Sequence, residues 1–378
     1  MLNTLGVYVH IPFCLAKCNY CAFVSQVCDE AVQHSYVAAL CGEITAAGGD
    51  FSVPVDTVFF GGGTPTVLAA SKLELILQTL RTSFQLTADA EISLEANPGT
   101  VEPASLKRLR QAGFNRLSLG VQSFDDLVLA AIGRIHHAET ASRAIVQARA
   151  AGFDNISLDL MYGLPMQSIS SWRETLEQAV ALAPEHISAY GLKLEEATPL
   201  MDAVNAGRVA LPSEEDEETM YDWLNLSLPS RGYARYEISN YATKGNECRH
   251  NLKYWRYQPY RGLGVAAHSF DGVDRYANTG DISMYLERLA TGDSPEDFRE
   301  SLNLPTMMAE YVFLALRTTE GLSGAEFEQR FGEIFSEYYS EPVRRLTRLG
   351  LLKQENLSWH LTKRGMKLGN QAFAEFLP

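Results

Sequence analysis

The sequence has little positive charge and no long apolar run. Its 32 Lys and Arg residues are outnumbered by 46 Asp and Glu residues, which leaves a net charge of −14. A surface of that sign argues against nonspecific binding to nucleic acid or to an anionic membrane. Because no apolar run reaches the roughly 20 residues of a membrane span, we expect any membrane contact to be made through a partner.

The start of the chain lacks the basic residues and long apolar core of a signal peptide. Residues 5–11 instead have the composition of a β-strand. Cysteine is also scarce, with six in 378 residues. Without a secretion signal, clustered thiols indicate metal binding or catalysis in a reducing cytosol rather than disulfides. We therefore expect a cytoplasmic protein, and its length predicts two or three domains.

The first two thirds of the chain alternates short apolar runs with helix-like segments. The strand-like runs lie at 5–11, 56–62, 91–97, 116–122, 155–161 and 186–192, and helix-like segments lie between them at 71–84, 103–113 and 137–152. The last two helix-like segments end in glycine, as helices often do. Such β-then-α units predict a parallel sheet with crossover helices, either an open doubly wound sheet or a barrel.

Chemically distinctive residues follow nearly every strand-like run. The clustered cysteines follow the first run, a glycine-rich turn at 61–65 follows the second, and Glu95 ends the third. Gln122 and Asp159 occupy similar places in the next two. Sites built from many strand ends are typical of a barrel, whereas a doubly wound sheet concentrates them at one crevice. We predict an α/β fold with a partial (β/α)6 TIM-like barrel in residues 1–240.

The pattern changes after residue 240. Residues 246–270 are aromatic, basic and glycine-rich, and they do not continue the alternation. We therefore predict a connecting segment at 241–295. From about residue 297, helix-like runs followed by a short strand and a terminal helix predict a mainly helical, winged-helix-like domain at 296–378. This domain has no strong basic surplus, which favours a lid or docking role over nucleic-acid binding.

Half of the cysteines lie within eight residues. Cys14, Cys18 and Cys21 have the spacing C-x3-C-x2-C, and thiolates so close together suit zinc or an iron–sulfur cluster. A structural zinc site usually takes four ligands in two separated pairs, and no second pair is obvious. Three cysteines on one loop predict a [4Fe–4S] cluster with one iron left for an outside ligand. Three incidental core cysteines are the alternative.

The cysteine motif, with its aromatic CNYC, resembles the cluster motif of the radical S-adenosylmethionine superfamily. The segments YVHIPFC, FFGGGTPT, EANPGT, LSLGVQSF, GRIH and LDLMYGLP narrow the resemblance to the oxygen-independent coproporphyrinogen III oxidase-like branch. The resemblance covers nearly the whole chain. It implies that the open iron chelates S-adenosylmethionine, which an electron from the reduced cluster cleaves to a 5′-deoxyadenosyl radical. A flavodoxin or ferredoxin is the kind of electron donor that it implies.

The same resemblance implies a set of S-adenosylmethionine-binding residues. They are Tyr8, Gly62, Gly63, Thr64, Glu95, Gln122, Arg134 and Asp159. From the residues alone, the glycines permit close backbone approach to a ligand, or simply a tight turn. Taken singly, Glu95 and Gln122 would more often be caps or surface polar groups, and Arg134 a surface ion pair. Asp159 lies in an apolar strand, where a carboxylate needs a partner.

Two features separate the oxidases of this branch from the HemW-type heme chaperones. The oxidase motif continues with a further cysteine two positions beyond the third ligand, where this chain has Phe23, as HemW-like proteins do. The segment HNLKYW (250–255) also resembles the H-N-x-x-Y-W motif of the chaperones. In it, His250 offers an imidazole to heme iron, beside aromatic rings that suit a flat macrocycle. A hydrogen-bonded, packed histidine is the alternative for His250, and His268 is a second candidate ligand.

We therefore predict a heme chaperone that binds a [4Fe–4S] cluster, S-adenosylmethionine and heme or a related tetrapyrrole. It would pass heme to an acceptor protein, and a homodimer is a further expectation. The alternative is an oxygen-independent coproporphyrinogen III oxidase or another radical enzyme that acts on a tetrapyrrole. A scaffold that never cleaves S-adenosylmethionine is a third alternative, but it would leave Glu95, Gln122 and Arg134 without a role.

Overall fold

The structure is a computed structural model that describes residues 4–50 and 53–378. Residues 1–3, 51 and 52 of the predicted domain 1–240 therefore lie outside the described part. The strands are β1 Leu5–Ile11, β2 Val55–Gly62, β3 Leu86–Ala96, β4 Arg116–Gln122, β5 Ile156–Tyr162, β6 His186–Gly191, β7 Ala234–Arg235, β8 Asn240–Ala242, β9 Tyr260–Leu263, β10 His268–Phe270, β11 Asp274–Asn278, β12 Glu296–Ser301, β13 Leu322–Ser323, β14 Leu352–Glu355 and β15 Ser358–Leu361.

The helices alternate with these strands through the first 230 residues. They are α1 Glu30–Ala47, α2 Ala70–Ser83, α3 Pro103–Ala112, α4 Asp126–Ala131, α5 Ala138–Ala150, α6 Ile169–Ala181, α7 Pro199–Asn205, α8 Glu214–Ser230, α9 Arg249–Trp255, α10 Ile282–Thr291, α11 Leu304–Arg317, α12 Gly324–Phe331, α13 Phe335–Tyr338, α14 Ser340–Arg348, α15 Lys363–Lys367 and α16 Gly369–Ala374. None of the described helices is long and apolar enough to cross a membrane.

Strands β1 to β6 form a parallel array in chain order, as the sequence predicts. Each pairs in parallel with the next, within a 12-stranded sheet whose order is β12-β11-β10-β9-β1-β2-β3-β4-β5-β6-β8-β7. The crossover helices bury apolar side chains against the strands, as in α2, where Leu73, Ile76 and Leu77 are buried. A doubly wound sheet reverses its strand order at a switch point, whereas β1 to β6 follow one another without reversal and the sheet ends in the edge strands β12 and β7. The sheet is therefore a partial barrel, and the predicted barrel fold is confirmed.

Residues after 240 add to this sheet. Strand β9 pairs in parallel with β1, and β10, β11 and β12 extend the sheet beyond it with antiparallel pairings. The prediction of helices from about residue 297 is wrong at its start, since β12 occupies Glu296–Ser301 and α11 begins at Leu304. Strand β12 is charged and mostly exposed, which suits an edge strand that must not pair with other chains.

The C-terminal region has its own apolar core. Helices α11 to α16 pack with a three-stranded antiparallel sheet of order β13-β15-β14. Its core includes Val312, Phe327, Phe335 and Phe376, all buried. Tyr257 and Phe270, which precede this region in the chain, are part of the same core. The C-terminal helices are therefore packed onto the segment that follows the parallel strands.

Candidate functional site

The carboxyl ends of the parallel strands surround a cavity of about 310 Å³, here called the cysteine cavity. Parallel strands place their carboxyl ends on one face of a barrel, so residues far apart in the chain meet there. Most of the predicted site residues line it: Cys14, Cys18, Cys21, Gly62, Gly63, Thr64, Glu95, Gln122, Arg134 and Asp159. Tyr8 and His250, which were also predicted, do not line this cavity.

The cysteines lie in the loop that joins β1 to α1. The amide of Cys14 donates to the Gln26 carbonyl at 3.1 Å, and the amide of Cys21 donates to the Cys18 carbonyl at 3.2 Å. All six cysteines are free of disulfides. Within residues 4–50 and 53–378, no three His, Cys, Asp or Glu side chains converge as ligands of a single metal ion. A four-iron cluster does not need that convergence, because each thiolate binds a different iron.

Arg134 links the cysteine loop to two strand ends. Its Nη1 donates to Cys18 Sγ at 3.4 Å, and its Nη2 donates to the Asn97 side-chain oxygen and the Gly120 carbonyl. Asn97 in turn donates from Nδ2 to Thr64 Oγ1 at 2.7 Å. The Nε of Arg134 is buried and has no partner among the described residues. A buried guanidinium with an unused donor can accept an additional anionic partner.

The glycine-rich turn after β2 is shaped by its protein neighbours. Gly62 has φ +110°, and a Cβ at this position would lie 2.6 Å from the His10 ring. The amide of Gly62 donates to Glu95 Oε2 at 3.3 Å, that of Gly63 to the Ile11 carbonyl at 2.9 Å, and that of Thr64 to the Phe13 carbonyl at 2.7 Å. The sequence left two roles for these glycines, close approach to a ligand or a tight turn, and the structure contains the tight turn. These three amides are engaged within the protein.

Two carboxyl groups at the strand ends, each partly exposed, line the cysteine cavity. Burial raises the pKa of Glu95 to about 8, and the nearby Asp159 carboxylate adds to this shift. Burial also raises the pKa of Asp159, against the opposing hydrogen bonds from Ser188 and Ser118. Ser118 Oγ donates to the Asp159 carboxylate at 3.1 Å. At neutral pH Glu95 is therefore mainly protonated and can donate a hydrogen bond as well as accept one.

Gln122 ends β4 in an unusual backbone conformation. Its φ is +65°, in the left-handed region that side-chain-bearing residues rarely adopt, and the pairing of β4 with β5 is irregular here. Its Oε1 accepts a hydrogen bond from the Tyr190 hydroxyl at 3.2 Å. Backbone strain of this kind is found where the surrounding structure holds a residue for a specific role.

A second and larger cavity, here called the aromatic cavity, has a volume of about 650 Å³. Its aromatic lining comes from both ends of the chain: Tyr8, Phe23, Tyr254, Trp255, Tyr257, Tyr260, Phe270 and Phe313. Ala22 and Phe23 line this cavity and the cysteine cavity as well. The two cavities are therefore neighbours that share a wall in the cysteine loop.

His250 lies behind the aromatic cavity rather than on its surface. It is 1% exposed and stacks on Phe59, with ring centroids 5.3 Å apart. Its Nδ1 is 2.9 Å from Thr57 Oγ1, and its Nε2 is 2.8 Å from the Tyr254 hydroxyl. Burial lowers the pKa of His250 to about 3. The structure thus contains the packed, hydrogen-bonded histidine that the sequence leaves as an alternative.

Comparison with known proteins supplies the family. The radical SAM superfamily model matches residues 8–179, and the HemN C-terminal domain model matches residues 302–368. The heme chaperone HemW of Bacillus subtilis is 35% identical over 374 residues, which cover 98% of this chain and 99% of that protein. The chain belongs to the HemW family. The HemW of Escherichia coli is 40% identical over 273 residues, which cover 71% of this chain and 70% of that protein.

The fold of this chain is similar to that of a structurally characterised enzyme. The radical SAM enzyme coproporphyrinogen III oxidase (HemN) from Escherichia coli aligns with a TM-score of 0.87 and 27% identity. The alignment covers 99% of this chain and 90% of the enzyme chain. The predicted resemblance to the coproporphyrinogen-oxidase-like branch, and to HemW-type proteins within it, is confirmed.

Membership of the radical SAM superfamily implies a [4Fe–4S] cluster and S-adenosylmethionine, and the cysteine cavity fits both groups. Its volume of about 310 Å³ lies at the lower end of the range of small-ligand sites, and three cysteines of one loop line it. The unused Nε of Arg134 and the hydrogen-bonding side chains of Glu95 and Gln122 suit a charged, polar ligand.

Sequence reasoning missed several residues of the two cavities. Asn97 bridges Thr64 and Arg134, and its signal was its place at the end of β3 in the EANPGT segment. Tyr190, whose hydroxyl donates to Gln122, lies within the sixth strand-like run. The meeting of Phe270 and Phe313 in one lining had no signal in the sequence, because it depends on how β10 and α11 come together in the fold.

Proposed function

We propose that this chain is a heme chaperone that holds heme in the aromatic cavity, beside a [4Fe–4S] cluster and S-adenosylmethionine, and passes heme to an acceptor protein. The observation that carries the proposal is the shared wall between a thiol-lined cavity and an aromatic cavity large enough for a ligand. Aromatic side chains suit a flat macrocycle. The HemW relatives, which carry the name heme chaperone, support the same reading.

In this proposal, Cys14, Cys18 and Cys21 hold the cluster. When bound, the cluster and S-adenosylmethionine supply a reductively generated 5′-deoxyadenosyl radical. Arg134 places a positive charge 3.4 Å from Cys18 Sγ, next to the sulfur that would bind the cluster. Replacement of Cys18 by Ala should abolish the four-iron absorbance of the reconstituted protein, whereas Cys28→Ala, outside the motif, should keep it. Retention of the absorbance in Cys18→Ala would remove the cluster assignment.

The other predicted residues hold S-adenosylmethionine in this proposal. Arg134 can bind the ligand's carboxylate through its unused Nε, and Thr64 presents a hydroxyl at the glycine-rich turn. The amides of Gly62 and Gly63 already donate to Glu95 and to the Ile11 carbonyl. These residues would therefore serve the ligand by letting it approach the backbone closely and by offering carbonyl oxygens. Glu95, Gln122 and Asp159 offer hydrogen bonds to the ligand's hydroxyl groups from the strand ends. Tyr8 lines the aromatic cavity and not the cysteine cavity, so in this proposal it supports the S-adenosylmethionine site indirectly, through the residues between the two cavities.

The alternative function is the coproporphyrinogen III oxidase activity that the name of the HemN enzyme states. The 27% identity and 0.87 TM-score to that enzyme favour it as a second candidate. A pair of assays on anaerobically reconstituted protein separates the two. We expect heme binding, seen as a Soret band that saturates on titration, and no product from coproporphyrinogen III in the presence of S-adenosylmethionine and a reductant. Turnover of coproporphyrinogen III would overturn the chaperone proposal.

The remaining expectations stay predictions. They are the heme-accepting protein, an electron donor such as a flavodoxin or ferredoxin, a homodimer, and a cytoplasmic location. The domain limits at residues 240 and 295 also stay predictions.

A further inference from the structure

Three histidines lie around the aromatic cavity, and the structure distinguishes them by what their ring nitrogens already bind. The Nδ1 of His10 is 3.1 Å from the Tyr8 hydroxyl, and its Nε2 is 2.9 Å from the Val24 carbonyl. His250 is likewise engaged at both nitrogens, by Thr57 and Tyr254. A neutral imidazole binds iron through a nitrogen lone pair, so each would have to break a buried hydrogen bond to become a ligand.

His268 differs from both. It begins β10, is exposed, and lines the aromatic cavity. Neither of its ring nitrogens makes a hydrogen bond to the part of the chain that the structure describes. His268 can therefore offer a ring nitrogen to a metal without giving up a hydrogen bond to the described residues.

The backbone at His268 is held firmly in place. Strand β10 pairs with β11, where His268 faces Ala277. On its other side the chain approaches Gly262 so closely that a Cβ there would lie 2.1 Å from the His268 carbonyl oxygen. The Gly262 amide also donates to Ser269 Oγ at 2.9 Å. Sites on rigid strands position a ligand more precisely than sites on loops.

We propose that His268 is the residue that binds the heme iron, and that His250 instead positions Tyr254 in the cavity wall. The inference rests on the proposed heme-binding function. Arg275 and Glu310 form an ion pair in the lining of the cavity, so the Arg275 guanidinium would share its donors between Glu310 and a heme propionate. Aromatic side chains on the other walls, among them Tyr260 and Phe313, can pack against the macrocycle.

The test is a heme titration of the cluster-reconstituted full chain, followed by absorbance and low-temperature electron paramagnetic resonance. In His268→Ala we expect a shifted Soret band, a changed ferric spin state and an affinity lower by roughly tenfold. Added imidazole should restore the wild-type spectrum by replacing the missing ligand. In His250→Ala the wild-type ligand signature should persist, with at most a smaller loss of affinity. His34→Ala, on the exposed face of α1, is the matched control.

The outcomes separate this inference from the proposed function. If the wild-type protein binds no heme, both fail. If it binds heme and His268→Ala keeps the wild-type spectrum, the ligand assignment alone fails. Loss of the ligand signature in His250→Ala but not in His268→Ala would move the assignment to His250. If His268→Ala does not fold, His268→Met is the deciding variant. A thioether ligand changes the heme spectrum if residue 268 binds the iron, and the spectrum stays that of the wild type if residue 268 does not.

Discussion

Glu95 is the residue whose chemistry is altered most clearly by its position. Its carboxyl lines the cysteine cavity, where burial and the nearby Asp159 carboxylate raise its pKa to about 8. A protonated carboxylic acid can donate to an acceptor on the ligand, and a carboxylate can interact with a cationic sulfonium. The side chain can therefore adapt to whether S-adenosylmethionine is bound.

The raised pKa of Glu95 predicts a pH dependence of stability. The folded state holds the Glu95 proton up to about pH 8, whereas the unfolded chain releases it near the ordinary glutamate pKa of 4.5. The resulting stability is therefore full below about pH 4.5 and is lost as the pH rises towards 8. Glu95→Gln should flatten the decline of melting temperature over this range without added S-adenosylmethionine. The exposed Glu341→Gln should keep the wild-type slope, and an equal slope in Glu95→Gln would contradict the prediction.

Phe23 predicts a separation between stability and ligand affinity. Its side chain is 68% exposed and lines both cavities. Phe23→Ala should cost at most about 0.5 kcal/mol of unfolding free energy, as surface changes usually do. It should weaken heme binding roughly threefold to tenfold through the loss of an aromatic contact. Phe298→Ala, which removes an exposed aromatic from β12, should leave heme affinity unchanged in the same titration. Unchanged heme affinity in Phe23→Ala would exclude Phe23 from the heme site.

At the scale of elements, helix α9 carries the HNLKYW segment and is held by a residue of β3. Glu91 accepts from the amides of Arg249 at 3.0 Å and His250 at 3.1 Å. Its carboxylate is buried and interacts electrostatically with the fully buried Arg116. The helix that brings Tyr254 and Trp255 to the aromatic cavity is therefore anchored inside the barrel.

This anchor predicts a large effect of Glu91→Ala. The change leaves two amides without an acceptor and the buried Arg116 without a neighbouring negative charge, so we expect a loss of about 3–5 kcal/mol in unfolding free energy. Urea denaturation measures it. Glu91→Gln, which keeps one acceptor, should lose less. Asp89→Ala is the matched control, because Asp89 also pairs with Arg249 but is exposed. A wild-type urea midpoint in Glu91→Ala would show that α9 is held by other contacts.

The elements differ in how far they can be predicted from the sequence. Strands β1 to β6 are predictable because each is an apolar run bounded by a turn, and the strand-end rule then brings Cys14, Glu95 and Gln122 together. Strands β9 to β12 cannot be predicted in this way, since they are short and contain glycine or charged residues. The environment of His250 cannot be predicted either, because its partner Thr57 lies 193 residues away in the chain. Local patterns carry no information about such a distant pairing.

At the scale of the whole molecule, the aromatic cavity exists only because distant parts of the chain meet. Tyr8 comes from the first strand, Tyr260 from β9, and Phe313 from α11 in the C-terminal region. The HemN C-terminal domain match begins at residue 302, so α11 belongs to that region. In the proposed function, the C-terminal helices are therefore part of the heme site as well as a packed neighbour of the barrel.

Phe313 provides the test of this arrangement. Phe313→Ala should weaken heme binding roughly threefold to tenfold through lost aromatic contact, while the four-iron absorbance, which depends on the cysteine loop, stays at the wild-type level. Phe373→Ala is the matched control, because Phe373 contacts Phe313, with ring centroids 6.2 Å apart, but does not line the cavity. The control should lower the melting temperature while keeping heme affinity. If Phe313→Ala bound heme as tightly as Phe373→Ala and the wild type, the heme site would lie away from α11. A loss of the four-iron absorbance in Phe313→Ala would mean that the two cavities are not independent.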